Sequence, residues 1–124
     1  MKRIPTSKSF LEGMKNQNPA IIIFSTFPDE KTASEMGKAL VEMRLSACAS
    51  IVPEIRSIYR WQEKICDEKE YLLILKTRED LIENVETEIK KRHPYEVPEI
   101  VSVKIDSISE SYLNWLISET SRGK

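Results

Sequence analysis

The chain has 124 residues and a mass of 14.4 kDa, the size of one domain. Nineteen Lys and Arg stand against 20 Asp and Glu, a net charge of −1. That balance argues against nucleic-acid binding, which needs a basic excess to displace phosphate counterions. Hydrophobic residues at 40% beside 31% charged ones suit a soluble chain that still builds a core.

Apolar runs are short, as at Ala20 to Phe24, against the roughly 18 residues of a membrane span. Residues 1–18 lack the apolar stretch of a secretory signal, so a cytoplasmic location is expected. They are basic (Lys2, Arg3, Lys8, Lys15) and read as a mobile extension, with an organellar targeting segment as the alternative. Ser9 and Glu12 have capping-box spacing within it. Two cysteines, Cys48 and Cys66, are too few for a disulfide scaffold. The glycines Gly13, Gly37 and Gly123 form no phosphate-binding loop.

After Asn18-Pro19, the β-branched run Ala20 to Thr26 predicts a central buried strand. Pro28-Asp29-Glu30 opens a helix that puts Ala33, Met36, Leu40 and Met43 on one face and ends near Arg44 or Leu45. Ala47 to Trp61 reads as a long strand, with Pro53 marking a bulge or an edge. A turn at Gln62-Glu63 leads back to an apolar strand from Tyr71 to Thr77. The polar stretch Cys66 to Glu70 between them is expected to bulge out. Thr77 with Asp80 suits a cap for a helix carrying Leu81, Val85 and Ile89, and His93-Pro94 stops that helix. Ile100 to Ile105 alternates as a strand, with Val101, Val103 and Ile105 on one side, and Ser109 caps a last helix through Tyr112, Leu113, Leu116 and Ile117. The order is β-α-β-β-α-β plus a terminal helix. That is a ferredoxin-like α+β sandwich, an antiparallel sheet with helices on one face, over residues 19–124.

The 15-residue strand would span about 50 Å, whereas a compact chain of this size is roughly 35 Å across. The hairpin should overhang its domain and expose strand edges that pair with another copy, so a homo-oligomer is expected. With Trp61 opposite Lys64, Cys66 faces Tyr59, Cys48 faces Thr77 and Lys76 faces Ala49. The two cysteines are then about 36 Å apart along the strand, too far for a disulfide or a shared metal.

Several runs are similar to one known family: A-C-A-S-I-V-P at 47–53, S-I-Y-R-W-Q-E-K-I at 57–65, L-K-T at 75–77, H-P-Y-E-V-P-E-I at 93–100 and Y-L-N-W at 112–115. They resemble the CutA family of divalent-cation tolerance proteins over about residues 19–120. The resemblance implies a ferredoxin-like homotrimer whose hairpins complete sheets between subunits, and reversible binding of copper or another divalent metal. It brings no settled enzymatic reaction. Two positions depart from the family pattern: Ser50 replaces a usual asparagine, and Glu63 a frequent glycine. The second implies either a turn that avoids positive φ or a glutamate that tolerates it.

Cys48 is a soft ligand suited to copper(I), or else a buried structural cysteine. His93 is a metal ligand in an intersubunit site, or else a cation at a helix end. Glu96 and Glu99 would assist it, because one cysteine and one histidine do not fill a tetrahedral site. Tyr59, Trp61, Lys76 and Tyr95 resemble a polar pocket between subunits, or else form interface packing and ion pairs. Metal tolerance in a trimer is the first functional reading. A trimeric signalling or scaffolding module that binds a small anion through Lys76, or a protein partner, is the alternative. No nucleophile–base set is visible, so no enzymatic activity is expected.

Overall fold

The structure, a computed structural model, describes residues 18–121. The expectations for the N-terminal extension, including the Ser9–Glu12 cap, lie outside the described residues. Four strands and three helices follow the expected order: β1 (Ala20–Phe27), α1 (Glu30–Glu42), β2 (Cys48–Trp61), β3 (Lys64–Arg78), a 3-10 turn (Glu79–Leu81), α2 (Ile82–Arg92), β4 (Val101–Lys104) and α3 (Glu110–Glu119). The sheet is antiparallel throughout, in the order β2-β3-β1-β4.

Alternation along the strands decides which side the helices cover. Ile21, Ile23 and Phe27 of β1 and Leu73 and Leu75 of β3 are fully buried, packed against Ala33, Met36 and Leu40 of α1 and Val85 and Ile89 of α2. Asp29 caps α1, its Oδ1 accepting the Thr32 N–H at 2.8 Å and the Thr32 hydroxyl at 2.9 Å. At Gly37 the helix comes so close to the sheet that a Cβ would lie 3.0 Å from that of Ala49. A second cluster joins Leu116 of α3 to Ala20, Ala47 and the half-buried Ile105 and Tyr112. Ser109 caps α3 as expected, accepting the Tyr112 N–H.

Several expectations are corrected. The segment Cys66 to Glu70 does not bulge out; it is paired strand, and it is polar because it lies beyond β1, which meets β3 only from Tyr71 to Arg78. The seven residues Lys64 to Glu70 therefore carry the hairpin about 23 Å past the central strand. The bulge is on β2, where Pro53 and Glu54 face one residue of β3, and Glu54 takes a φ of 53°. That extra residue shifts the register by one. Cys48 pairs with Lys76 and Ala49 with Leu75, not with Thr77 and Lys76.

The hairpin turn does not avoid positive φ: Gln62 and Glu63 sit at 52° and 66°, the type I′ geometry that matches strand twist. Thr77 does not cap α2. It is buried, and its hydroxyl donates to the Leu45 carbonyl at 2.7 Å, while the 3-10 turn leads into the helix without a side-chain cap. Met43 is 42% exposed because α1 ends at Glu42 and Met43 turns off its buried face. The last strand is shorter than expected, and its Val101 and Val103 are exposed, on the sheet face away from α1 and α2.

Candidate functional site: an acidic and aromatic cleft beneath the hairpin

The residues singled out from sequence separate into two groups. Cys48 and Lys76 face each other at one end of the sheet, next to Ile22 of β1. The Cys48 thiol is 3.7 Å from the Ser50 hydroxyl, and the Lys76 ammonium lies 5.9 Å from the centre of the Tyr112 ring. His93 instead contacts Thr26, four residues further along β1, or about 13 Å along the strand direction. Cys48 and His93 therefore do not meet within one chain. Among the described residues no three His, Cys, Asp or Glu side chains converge on a metal position.

The second group is assembled around His93. Its ψ of 138° before Pro94 ends α2 and turns the chain across the sheet end. The imidazole stacks on Phe27, with ring centres 4.2 Å apart, and lies 4.8 Å from the Tyr95 ring. Nε2 donates to the Thr26 carbonyl at 2.7 Å, and Nδ1 accepts the Tyr95 N–H at 3.1 Å. A carbonyl only accepts and an amide N–H only donates, so the ring is the neutral tautomer protonated on Nε2. Burial lowers its pKa from the usual 6.5, against the opposing pull of the Thr26 bond and Glu70. With both nitrogens engaged, His93 holds the loop and has no lone pair left for a metal.

That loop forms one wall of a cleft of about 750 Å³, and the hairpin, from Glu70 near its base to Trp61 beside the turn, forms the other. Tyr59, Trp61, Tyr95, Glu96 and Glu99 of the predicted set line it, joined by Glu70. Sequence reasoning missed Glu70, which is only 5% exposed. Alternation sets it with Leu72 and Ile74 on the face away from α1 and α2, and the cover over it includes Tyr95, 25 residues on, which no local pattern announces. The Tyr95 hydroxyl donates to Glu70 Oε2 at 2.7 Å, and the Tyr59 hydroxyl to Glu68 Oε1 at 2.7 Å.

These contacts order the protonation states. Burial first, and the Glu70 carboxylate second, raise the Tyr95 phenol above its ordinary value. The Glu68 hydrogen bond pushes Tyr59 up to about 12. Glu99 is raised by burial and by repulsion from Glu70. Both phenols stay protonated donors near neutral pH. A groove of about 900 Å³ at the other end of the sheet holds none of the predicted site residues; its Arg44 and Arg78 are already paired with Glu119 and Asp80.

The profile of the family described as CutA1 divalent ion tolerance protein matches residues 21–119. A divalent-cation tolerance protein CutA from Pyrococcus horikoshii is 47% identical over 102 residues, 82% of this chain and 99% of its own. One from Thermus thermophilus is 42% identical over 99 residues, covering 80% and 96%. The crystal structure of CutA from Xylella fastidiosa superposes with a TM-score of 0.81 at 35% identity, covering 83% of this chain and 99% of that one. A relative from Arabidopsis thaliana is described as chloroplastic, and one from Archaeoglobus fulgidus as periplasmic. Among the described residues no helix is long and apolar enough to cross a membrane.

Proposed function

Because the chain belongs to the CutA1 divalent ion tolerance family, we propose that it works as a homotrimer that binds copper or a related divalent ion reversibly between subunits, and that it catalyses no reaction. The observation that carries this reading is the incompleteness of the single chain. Cys48 offers a soft, half-buried ligand on the sheet face away from α1 and α2, and among the described residues it belongs to no group of three His, Cys, Asp or Glu side chains able to hold an ion. A neighbouring copy or water would complete its coordination, which suits an ion held as cargo. His93 is assigned to positioning the loop, and Glu96 and Glu99, further along that loop, line the cleft, away from Cys48.

Exposed apolar surface supports the assembly. Val101 and Val103 are 48% and 43% exposed beside the half-buried Ile22 and Phe24 of the same face, and Ile58 and Ile65 are each 62% exposed on the overhanging hairpin. Among the described residues β2 and β4 are the edge strands, with no strand paired on their outer sides. The expectation of no catalysis rests on the sole histidine, whose two ring nitrogens are both engaged in hydrogen bonds.

Competition of copper(I) against a chromophoric chelator tests the metal reading. Cys48→Ala should weaken affinity by about tenfold or more, the loss of one thiolate ligand. Affinity equal to that of the unsubstituted protein in that variant would remove Cys48 from the site.

A further inference from the structure

A soft metal ligand does not need a cation beside it, yet Cys48 has one. Lys76 pairs with Cys48 across the β2–β3 ladder, and both are half-buried on the face away from α1 and α2. Side chains directly opposed in an antiparallel pair have Cβ atoms about 4.5–5.5 Å apart, so the lysine stem starts beside the thiol. The ammonium lies 5.9 Å from the centre of the Tyr112 ring, and among the described residues it has no carboxylate partner. Arg78, two residues on, differs, because its guanidinium is paired with Asp80. The Ser50 hydroxyl, 3.7 Å from the thiol, carries no charge. Within the chain, Cys48 therefore meets an uncompensated positive charge.

Charge arithmetic shows what that lysine does to metal ions. Copper(I) that displaces the thiol proton leaves the local charge unchanged, whereas a divalent ion that displaces it adds one positive charge. A fixed ammonium repels the added charge, and repels it more strongly where burial lowers the effective dielectric. A neighbouring copy that covers this face would therefore sharpen the difference. The donor set points the same way: a thiol suits copper(I), and no trio of His, Cys, Asp or Glu side chains converges here among the described residues to satisfy a hard divalent ion. We propose that Lys76 is the specificity-determining residue of the Cys48 site, repelling divalent ions and leaving copper(I) as the ion held there. The assignment rests on Cys48 as a metal ligand, as proposed above, and narrows the ion that it takes.

The test measures copper(I) and zinc(II) affinities of the full chain by competition against chromophoric chelators without oxygen, with Cys48→Ala as the blank for binding elsewhere. In Lys76→Met the copper(I)-to-zinc(II) affinity ratio should fall about tenfold through tighter zinc(II) binding, the removal of one unit of repulsion. Lys76→Arg keeps the charge and should keep the parent ratio. Sedimentation checks that each variant retains the parent's assembly mass, and Lys76→Gln, with a polar tip, takes the place of Lys76→Met if that variant does not. The proposal is overturned if the neutral variant keeps the parent ratio, because a carboxylate of a second copy would then already neutralise the ammonium. It is also overturned if the ratio in Lys76→Arg falls as far as in Lys76→Met. Copper(I) affinity equal in Cys48→Ala and the parent overturns the metal reading and this assignment together. Affinity lost in Cys48→Ala, with a ratio that ignores Lys76→Met, overturns this assignment alone.

Discussion

His93 joins three elements through one ring: it ends α2, accepts from the loop at Tyr95 and donates to Thr26 of β1. Protonation would place a second N–H at Nδ1, facing the Tyr95 N–H, so the charged form is incompatible with the native contacts. Its folded pKa lies below the usual 6.5, so the unfolded chain takes up the proton first as pH falls. The stability that depends on neutral His93 is complete above about pH 6.5 and is lost as pH drops through the folded value. Glu99 acts with the opposite sign: its raised pKa means that its ionised form weakens the fold, and protonation toward the carboxylate range relieves that. Thermal unfolding should therefore show a lower Tm at about pH 5.5 than at about pH 7.5, and His93→Gln should flatten that difference. An unchanged slope in the variant would place the titration elsewhere.

Among the elements, the hairpin is the one built against local preference. Gln62 and Glu63 both occupy left-handed backbone that glycine adopts without cost. Glu63→Gly should stabilise the protein by about 1 kcal/mol, read as a higher denaturant midpoint with an unchanged slope. The last helix is held in a different way. Leu116 is fully buried against Ala20 and Ala47, and Arg44 reaches across to the Glu119 carbonyl at 3.0 Å. Truncation by Leu116→Ala should cost about 2–5 kcal/mol in equilibrium unfolding, since the cavity sits under a helix anchored by one small cluster. A loss below about 1 kcal/mol would mean that α3 is secured mainly by its polar contacts.

At the scale of the whole molecule, the sheet has one face under helices and another only partly covered. Antiparallel sheets tolerate a wet face, but that face is then normally polar. Here it carries Ile22, Phe24, Ile74, Val101 and Val103. Three copies should sediment near 43 kDa, three times the 14.4 kDa chain. Val103→Lys, which places a charge on that face, should shift the mass toward the single chain. A trimer that ignores this substitution would mean that the hairpins alone hold it together.

The order of elements, the apolar faces of α1 and α2, the helix start at Pro28-Asp29-Glu30, the cap at Ser109 and the stop at His93-Pro94 were all legible in the sequence, because each follows from periodicity or backbone sterics within a few residues. The family resemblance put Tyr59, Trp61, Lys76, Tyr95, Glu96 and Glu99 in one pocket between subunits; within one chain all but Lys76 line the same cleft, and Lys76 lies opposite Cys48 instead. The register at Cys48 was not legible, since a single residue inserted at Pro53-Glu54 shifts the pairing beyond it, and nothing local announces a bulge of that length. Nor was the burial of Glu70, which depends on a loop arriving from 25 residues away to cover it. Local sequence sets where the chain turns and which face is apolar. Long-range packing alone decides which polar side chains are taken out of water, because burial is a property of what lies across the space and not of what lies along the chain.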